Sequence, residues 1–383
     1  MMDALQLTKD LVAFKSPSHV SNAEVSEFII DRLRELGGFV IERCKYKDAA
    51  GVEKVNVLGH AGPRFEDCGQ TGLAYFCHSD VVPATKWTGP GEAYTATEHD
   101  GKLYGRGSCD MKGSAACMLS AISQIDTNNL AAPLFFVCTA DEERSYLGAK
   151  QIVSESTLYR EMLVGQPRVL IGEPTELQVV YAHKGICKLK VVSRGRAAHS
   201  STRDGLNANL AMIPFLQTLK QIYDETEKST EWQNSEFDPP VLSMNIGIND
   251  HTKAINVTPA QSVCTIFYRP LPDVDDHPLL ERIRTAAENA NLEFAEPERC
   301  DAVYTAPDDE LVHDALRLSG NTTARTVSYG TDAGEFKALN HKIVCGPGAI
   351  AQAHTEDEWI ALDQLSAGCD LYKKFVEAWC VNV

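Results

Sequence analysis

A histidine and an aspartate lie two residues apart in His78-Ser79-Asp80, directly after an apolar segment at residues 73–77. Side chains alternate between the two faces of a β-strand, so we expect the imidazole and the carboxylate on the same face. A histidine beside a carboxylate can be a metal ligand with its orienting partner, or a hydrogen-bonded structural histidine. The pair alone leaves both interpretations open.

Four further segments place possible metal ligands at the ends of apolar runs or at turns. They are Asp110 in a glycine-rich turn, Asp141-Glu142-Glu143 after an apolar run at 133–140, Glu173 after residues 169–172, and His354 after a glycine-rich loop at 346–348. Each has a simpler interpretation when taken alone. Asp110 could cap the following helix, and the acidic triplet could be a solvated helix N-terminus. Glu173 could be a turn residue, and His354 could be a surface histidine.

If the strand ends meet at one edge of a sheet, the simpler interpretations would leave several negatively charged carboxylates close together with nothing to neutralise them. Two unit charges 4 Å apart repel by roughly 4 kcal/mol at an effective dielectric constant near 20. Several such pairs would exceed the stability of a typical domain, about 5–15 kcal/mol. Divalent cations would remove the repulsion. Two histidines and three carboxylates suit a pair of zinc-like ions with one bridging carboxylate, which leaves one of the paired glutamates as a general base.

The elements that must position these side chains read as an α/β fold. Continuous apolar runs at 73–77, 133–140 and 169–172 alternate with helical patterns, which predicts a mainly parallel sheet buried on both faces. Further predicted strands cover 39–45, 55–60 and 343–345, and predicted helices cover 5–14, 22–36, 114–125 and 364–379.

Between residues 182 and 297 the pattern changes to that of a smaller α+β domain. Strands are predicted at 186–193, 241–248, 262–268 and 292–295, with helices at 207–223 and 277–290. This β-α-β-β-α-β order is ferredoxin-like. The sequence therefore predicts a catalytic domain in two parts, 1–181 and 298–383, interrupted by an inserted domain at 182–297.

Composition narrows the function classes. The chain has 383 residues and a formal net charge of −17, which argues against a nucleic-acid partner. No apolar run reaches the length of a membrane span, and charged residues near the start argue against a signal peptide. The 12 cysteines are scattered without metal-finger spacing, which favours a reducing cytoplasm.

Several motifs together resemble one enzyme family, from about residue 5 to the end of the chain. The motifs are His78-Ser-Asp-Val-Val-Pro83, Lys102-Leu-Tyr-Gly-Arg-Gly107 with Asp110-Met-Lys-Gly113, Thr139-Ala-Asp-Glu-Glu143 and Ile171-Gly-Glu-Pro-Thr175. They resemble the dinuclear zinc family of acetylornithine deacetylase and succinyl-diaminopimelate desuccinylase. Within this family the chain is most similar to acetylornithine deacetylase, in the segments Tyr181-Ala-His-Lys-Gly185, Ala198-His-Ser-Ser201, Arg269-Pro-Leu-Pro272 and Gly346 to His354.

The resemblance implies a zinc-peptidase-like catalytic domain, a ferredoxin-like dimerisation (lid) domain and two Zn²⁺ per subunit, with Co²⁺ as a substitute. It assigns His78 and Glu173 to one ion, Glu143 and His354 to the other, and Asp110 to the bridge between them. It further implies that Asp80 orients His78 and that Glu142 is the general base. Glu142 would take a proton from water held between the metals and pass it to the leaving amine.

The resemblance also implies candidate substrate contacts and a homodimer formed through the insert. His199 would donate to the oxyanion, in its own or the partner subunit, although it could also be an ordinary loop histidine. Arg269 would grip the substrate's α-carboxylate, unless it forms an ordinary ion pair. Asn256 and the turn at Gly330-Thr331-Asp332 are weaker candidates.

The implied activity is zinc-dependent hydrolysis of an N-acyl amino acid, with N-acetyl-L-ornithine of arginine biosynthesis as the expected substrate. The turn at 330–332 looks nearer the desuccinylase pattern, so the acyl group stays open. The alternatives are N-succinyl-diaminopimelate, N-acetylcitrulline, another acylated amino acid or a dipeptide. A non-enzymatic binding protein is the alternative from a different class, and the complete set of ligands and base argues against it.

Overall fold

The computed structural model describes all residues, 1–383, and divides into two compact units. The first comprises Met1–Ala182, Tyr304–Arg325 and Thr331–Val383, and the second comprises His183–Val303 and Thr326–Gly330. The domain assignment made from the sequence stays a prediction, with its boundaries at 181/182 and 297/298. The compact second unit extends six residues further along the chain, and it also takes in the short segment 326–330.

The largest sheet, most of which belongs to the first unit, is mixed and has nine strands. Its strands are β1 (Val40–Lys47), β2 (Glu53–Ala61), β3 (Leu73–His78), β6 (Leu134–Thr139), β7 (Arg168–Ile171), β8 (Val180–His183), β14 (Val303–Tyr304), β15 (Arg325–Val327) and β16 (Lys342–Val344). A separate antiparallel sheet contains β4 (Thr97–His99), β5 (Lys102–Tyr104) and β17 (Trp359–Ala361).

Parallel pairing is concentrated in the centre of the large sheet, where the order is β6-β3-β7-β16. Antiparallel pairs join β2 to β6, β1 to β2 and β8 to β16. Strands β3 and β6 are buried along their whole length, as expected for strands covered on both faces. The predicted α/β class with a mixed sheet is confirmed.

Eight helices accompany this unit. They are α1 (Ala4–Ala13), α2 (Ala23–Leu36), α3 (Phe65–Cys68), α4 (Lys112–Ile122), α5 (Leu147–Glu155), α6 (Thr157–Gly165), α9 (Glu310–Ser319) and α10 (Leu362–Val376). The Asp3 side chain caps α1 by accepting from the N–H of Leu5, and Gly37 ends α2 with a φ of 75°. Helix α4 consists mainly of small residues and is buried on every side, packed against α1 and α10.

The second unit contains a five-stranded antiparallel sheet and two longer helices. The elements are β9 (Ile186–Arg194), α7 (Ala208–Lys228), β10 (Asn245–Asn249), β11 (Gln261–Tyr268), α8 (His277–Asn289), β12 (Glu293–Phe294) and β13 (Glu298–Cys300). The sheet order is β10-β11-β9-β12, with β13 also paired to β9. This order and the β-α-β-β-α-β succession confirm the ferredoxin-like prediction.

One strand of the second unit is shorter than predicted. The sequence predicted a strand over 241–248, but β10 begins at Asn245. Ser243 adopts a φ of 54°, which is incompatible with an extended strand. The carbonyl of Val241 accepts a hydrogen bond from Lys184 Nζ at 2.7 Å, so a side chain takes the place of a neighbouring strand there.

Two further features concern the apolar character of the helices and the state of the cysteines. No helix of the structure combines the length and apolar character that crossing a bilayer requires. All 12 cysteines are free thiols, and all but Cys68 are buried. Buried free cysteines behave as small apolar residues.

Candidate metal centre

Ligand-type side chains converge at the carboxyl ends of the central parallel strands. His78 is the last residue of β3, and its strand register places it beside Thr139, the last residue of β6. The acidic triplet follows β6, and Glu173 follows β7 after a single glycine. Ligand sites of open α/β sheets lie at this edge, because loops leaving adjacent parallel strands emerge together.

The structure brings the predicted bridging carboxylate between the two histidines. Asp110 Oδ1 lies 3.0 Å from His78 Nε2, and Asp110 Oδ2 lies 3.2 Å from His354 Nε2. The same nitrogen of His354 lies 2.8 Å from Glu143 Oε2. Glu173 Oε1 is 3.6 Å from His78 Nε2. The simpler role for Asp110 does not apply, since Met111 occupies the N-cap position of α4.

The side-chain set fits divalent cations. Ligand atoms of His78, Asp110 and Glu143 lie within 4.8 Å of one another, and so do those of His78, Glu142 and Glu173. Glu143 Oε1 is buried without a hydrogen-bond partner, which leaves a coordinating atom available. Imidazole and carboxylate groups in this number are the ligands that zinc takes at catalytic sites.

The protonation of the cluster shows the same demand for positive charge. Burial, with repulsion from Asp110, raises the pKa of Glu143 to about 7. Burial and the neighbouring carboxylates also raise the pKa of Glu142 and of Glu173 well above the ordinary value. Hydrogen bonds to Asp110 and Glu143 raise the pKa of His354 to about 10. The raised pKa values of the histidines and of the glutamates both mark a place where positive charge is favoured, as at a cation site.

The carboxylate of Asp80 contacts the acidic triplet rather than His78. The Nδ1 of His78 lies 2.9 Å from the main-chain oxygen of Asp80, whereas the nearer carboxylate oxygen is 3.8 Å away. That carboxylate accepts from the N–H groups of Glu142 (3.1 Å) and Glu143 (3.3 Å) and from the hydroxyl of Ser18 (2.7 Å). Asp80 therefore fixes the backbone of the predicted base and of the adjacent predicted ligand.

The residue before the predicted base is held by a buried ion pair that sequence reasoning missed. Asp141 adopts a φ of 59° and pairs with Lys54 Nζ at 2.8 Å, with side-chain exposures of 3% and 0%. The Tyr46 hydroxyl donates to its other oxygen at 2.8 Å. Lys54 also donates to the carbonyls of Ser18 and Val20. A lysine followed by the apolar residues of β2 was the only available signal.

Glycines allow the strand ends to approach closely. A Cβ atom at Gly172, just before Glu173, would lie 2.3 Å from Ser114 Oγ and 2.5 Å from Tyr75 Oη. A Cβ atom at Gly346 would lie 2.2 Å from the carbonyl oxygen of Gly172. Larger residues at either position would push the loop of Glu173 away from the cluster.

The turn predicted at 330–332 places one more buried carboxylate in the first unit. Asp332 is 6% exposed and accepts a hydrogen bond from Thr139 Oγ1 at 2.7 Å. Burial is the main reason why the pKa of Asp332 rises to about 6. The hydroxyl of Thr331 accepts from the N–H of Ala333 and so caps the short turn.

The other predicted substrate contacts belong to the second unit, where they form two groups. His199 and Asn256 are exposed neighbours, since the N–H of Ser200 donates to the carbonyl of Asn256 at 3.0 Å. The Arg269 guanidinium lies near Gly330, at 3.4 Å from the position of an added Cβ. It also stacks over the ring of Phe267, with 4.8 Å between the guanidinium carbon and the ring centroid.

Comparison with known proteins shows similarity to one family of hydrolases over most of the chain. A model of peptidase family M20/M25/M40 matches residues 74–378. An acetylornithine deacetylase from Myxococcus xanthus is 36% identical over 378 residues, covering 95% of this chain and 94% of the relative. One from Proteus mirabilis is 31% identical over 382 residues, covering 98% and 94%.

Solved structures show the same fold at lower identity. Human carnosine dipeptidase 1 superimposes with a TM-score of 0.73 at 18% identity, covering 97% of this chain and 96% of that one. A di-peptidase from Saccharomyces cerevisiae gives a TM-score of 0.74 at 16% identity, covering 98% and 95%.

Proposed function

Because the chain belongs to peptidase family M20/M25/M40 and is a hydrolase of a small-molecule amide, we propose that it removes the acetyl group of N-acetyl-L-ornithine. The observation that carries the proposal is the convergence of two histidines and four carboxylates at one sheet edge. They are His78, Asp110, Glu142, Glu143, Glu173 and His354. Relatives named acetylornithine deacetylase match nearly the whole chain.

We assign the metal ligands as the contacts suggest. His78 and Glu173 would hold one zinc ion, Glu143 and His354 a second, and Asp110 would contact both. When bound, such ions supply Lewis-acid polarisation of the substrate's carbonyl and lower the pKa of water in the site.

The chain's own contribution to the reaction is proton transfer at Glu142. Its carboxyl group is buried beside the ligand cluster, and its backbone is fixed by Asp80. A buried glutamate beside the metal ligands is placed to accept a proton from water and to return it to the leaving amine. Arg269 would bind the substrate's α-carboxylate through its planar guanidinium, and His199 would donate to the oxyanion, with Asn256, Gly330 and Thr331 as further contacts.

The charge of the site favours an uncharged acyl group. Two divalent cations would neutralise four of the six carboxylates at this edge, which include Asp80 and Asp332. The remaining negative charge would attract the ammonium group of the ornithine side chain and oppose the additional carboxylate of a succinyl group. Acetylornithine therefore agrees better with the site than succinyl-diaminopimelate does.

The test is a substrate panel with metal-reconstituted protein. We expect acetate release from N-acetylornithine, loss of activity with a chelator, and recovery with Zn²⁺ or Co²⁺. N-acetylcitrulline, N-succinyl-diaminopimelate and dipeptides serve as competing substrates. A higher kcat/KM for any of these would overturn the acetylornithine assignment, and full activity after complete demetallation would overturn the metal mechanism.

We also infer that the enzyme is a homodimer formed through the second unit. Strand β10 is an edge of its sheet and carries Ile248, which is 60% exposed. Just before α7 and in its first two turns, Leu206, Leu210 and Ile213 are 59%, 66% and 46% exposed. An open strand edge beside exposed apolar side chains suits pairing with a second copy across a two-fold axis.

Light scattering after size exclusion tests the dimer. Wild type should have the mass of a dimer, and Leu210→Glu with Ile248→Asp should have that of a monomer. The matched control is Val40→Asp, which changes an apolar side chain of similar exposure (64%) on the first unit's edge strand β1. A monomeric wild type would contradict the inference.

The unpaired cysteines agree with a cytoplasmic enzyme of arginine biosynthesis.

A further inference from the structure

A glutamate that the sequence did not single out, Glu358, is enclosed by the loop that carries Asp110. Its side chain is fully buried, with 0% exposure. The carboxylate accepts hydrogen bonds from the N–H groups of Gly107 (2.9 Å), Cys109 (2.9 Å) and Asp110 (3.0 Å). Arg106 Nη1 donates a fourth, at 2.6 Å. Four donors satisfy both oxygens of a carboxylate, so the loop is folded around this one anion.

Arg106 also ties this loop to the segment that carries His354. Its Nη2 donates to the carbonyl of Thr355 at 2.8 Å, and the N–H of Gly105 donates to the main-chain oxygen of Glu358 at 3.0 Å. The loop and the segment are therefore cross-linked through both side chains and backbone.

His354 depends on such a tie more than the other ligands do. Its side chain is 54% exposed, whereas that of His78 is 2% exposed. Packing therefore does little to hold the imidazole of His354. Its backbone adopts a φ of 63°, a conformation that non-glycine residues keep only when their surroundings impose it.

We propose that the Glu358–Arg106 pair is a positioning device that sets the distance between Asp110 and His354 and so controls the affinity for one of the two metal ions. The inference rests on the ligand assignment of the proposed function. Asp110 Oδ2 lies 3.2 Å from His354 Nε2, and the two residues belong to the two segments that the Glu358–Arg106 pair joins. His78 and Glu173 are instead held at the ends of β3 and β7 by the sheet. The ion at Glu143 and His354 should therefore be the one that needs the pair.

The competing explanation is that the pair only stabilises the fold, as many buried ion pairs do. Metal binding separates the two explanations, because a structural role lowers the stability of the metal-free protein without a selective loss of one ion. The test is calorimetric titration of metal-free Glu358→Gln with Co²⁺, followed by thermal unfolding with and without metal.

We expect wild type to bind two ions per subunit. In Glu358→Gln the amide keeps the shape of the side chain but directs an NH₂ group at the surrounding donors. The ion at Glu143 and His354 should bind about 10–100-fold more weakly, the usual effect of changing a residue that supports a ligand. The other ion keeps His78 and Glu173 and should lose less affinity, because it shares only Asp110 with the disturbed loop. The rise in Tm on adding metal should shrink accordingly.

Asp276 provides the matched control in the second unit. It is 3% exposed and accepts two hydrogen bonds from Arg299, at 2.9 and 2.7 Å. Asp276→Asn breaks a comparable buried carboxylate–arginine pair. It should lower the Tm of the metal-free protein while leaving both metal affinities unchanged.

Binding of both ions by Glu358→Gln as tightly as by wild type overturns the inference, even if its Tm falls. If this variant does not fold, Arg106→Lys takes its place, because lysine keeps the charge but loses the planar fork that reaches Glu358 and Thr355 together. The same selective loss is expected, and equal affinities again overturn the inference. A wild type that binds no metal overturns the proposed function instead.

Discussion

The two adjacent glutamates of the acidic triplet should fail in different ways when each is replaced by glutamine. Glu143 Oε2 contacts His354 Nε2 at 2.8 Å, so Glu143→Gln removes a charged ligand and should lower the number of bound ions per subunit. Glu142 lies in the same cluster without a role as ligand in our assignment. Glu142→Gln should therefore keep both ions and lose general-base catalysis.

The expected size of the loss at Glu142 follows from what a positioned base contributes. General acid–base catalysis supplies roughly 10²–10⁴-fold in rate, so kcat should fall by that factor at least. At about 1.4 kcal/mol per factor of ten, this is a loss of about 3–6 kcal/mol of transition-state stabilisation. The assays are acetate release at saturating substrate and metal content by mass spectrometry on the same samples.

The buried charge of Glu142 also gives a prediction for the metal-free protein. Burial and repulsion from Glu173 and Glu143 raise the pKa of Glu142, so the folded state retains a proton that the unfolded state releases. The contribution of Glu142 to stability then falls as pH rises above the ordinary glutamate pKa of about 4.3. Metal-free Glu142→Gln should lose less stability than wild type between pH 4.5 and 7, within this window.

If Glu142→Gln loses metal while Glu143→Gln retains it, the division between base and ligand is wrong.

Three other substitutions test separate parts of the structure. Lys54→Met leaves the buried Asp141 without its cation and should cost about 3–5 kcal/mol in urea unfolding. The exposed pair Lys45–Glu53 on the neighbouring strands is the control, since Lys45→Met should cost less than about 1 kcal/mol; equal effects would refute the reasoning. Arg269→Lys should raise KM more than it lowers kcat, and an unchanged KM would exclude it from substrate binding. Phe136→Ala in the fully buried strand β6 should cost about 3–5 kcal/mol, and a loss below 1 kcal/mol would contradict the packing described for the sheet.

Three of the predicted ligands could be placed together from the sequence because each follows a recognisable strand. His78, Glu143 and Glu173 come after apolar runs long enough to identify, and parallel strands bring their carboxyl ends to one edge. The supporting groups carry no such local pattern. Arg106 and Glu358 are 252 residues apart in sequence, and Lys54 and Asp141 come from strands and loops far apart along the chain. Contacts of this kind depend on tertiary structure, which a single sequence does not reveal.

Asp80 shows where strand periodicity stops being a guide. The two-residue spacing predicted its carboxylate on the same face as His78, but that rule applies only while the chain remains in the strand. Strand β3 ends at His78, and the chain beyond it turns so that the main-chain oxygen of Asp80 meets the imidazole. The carboxylate is then free to bind the backbone N–H groups of Glu142 and Glu143. One residue can therefore orient a ligand through its backbone and the base through its side chain, so Asp80→Asn should affect turnover through the position of Glu142 as well as through His78.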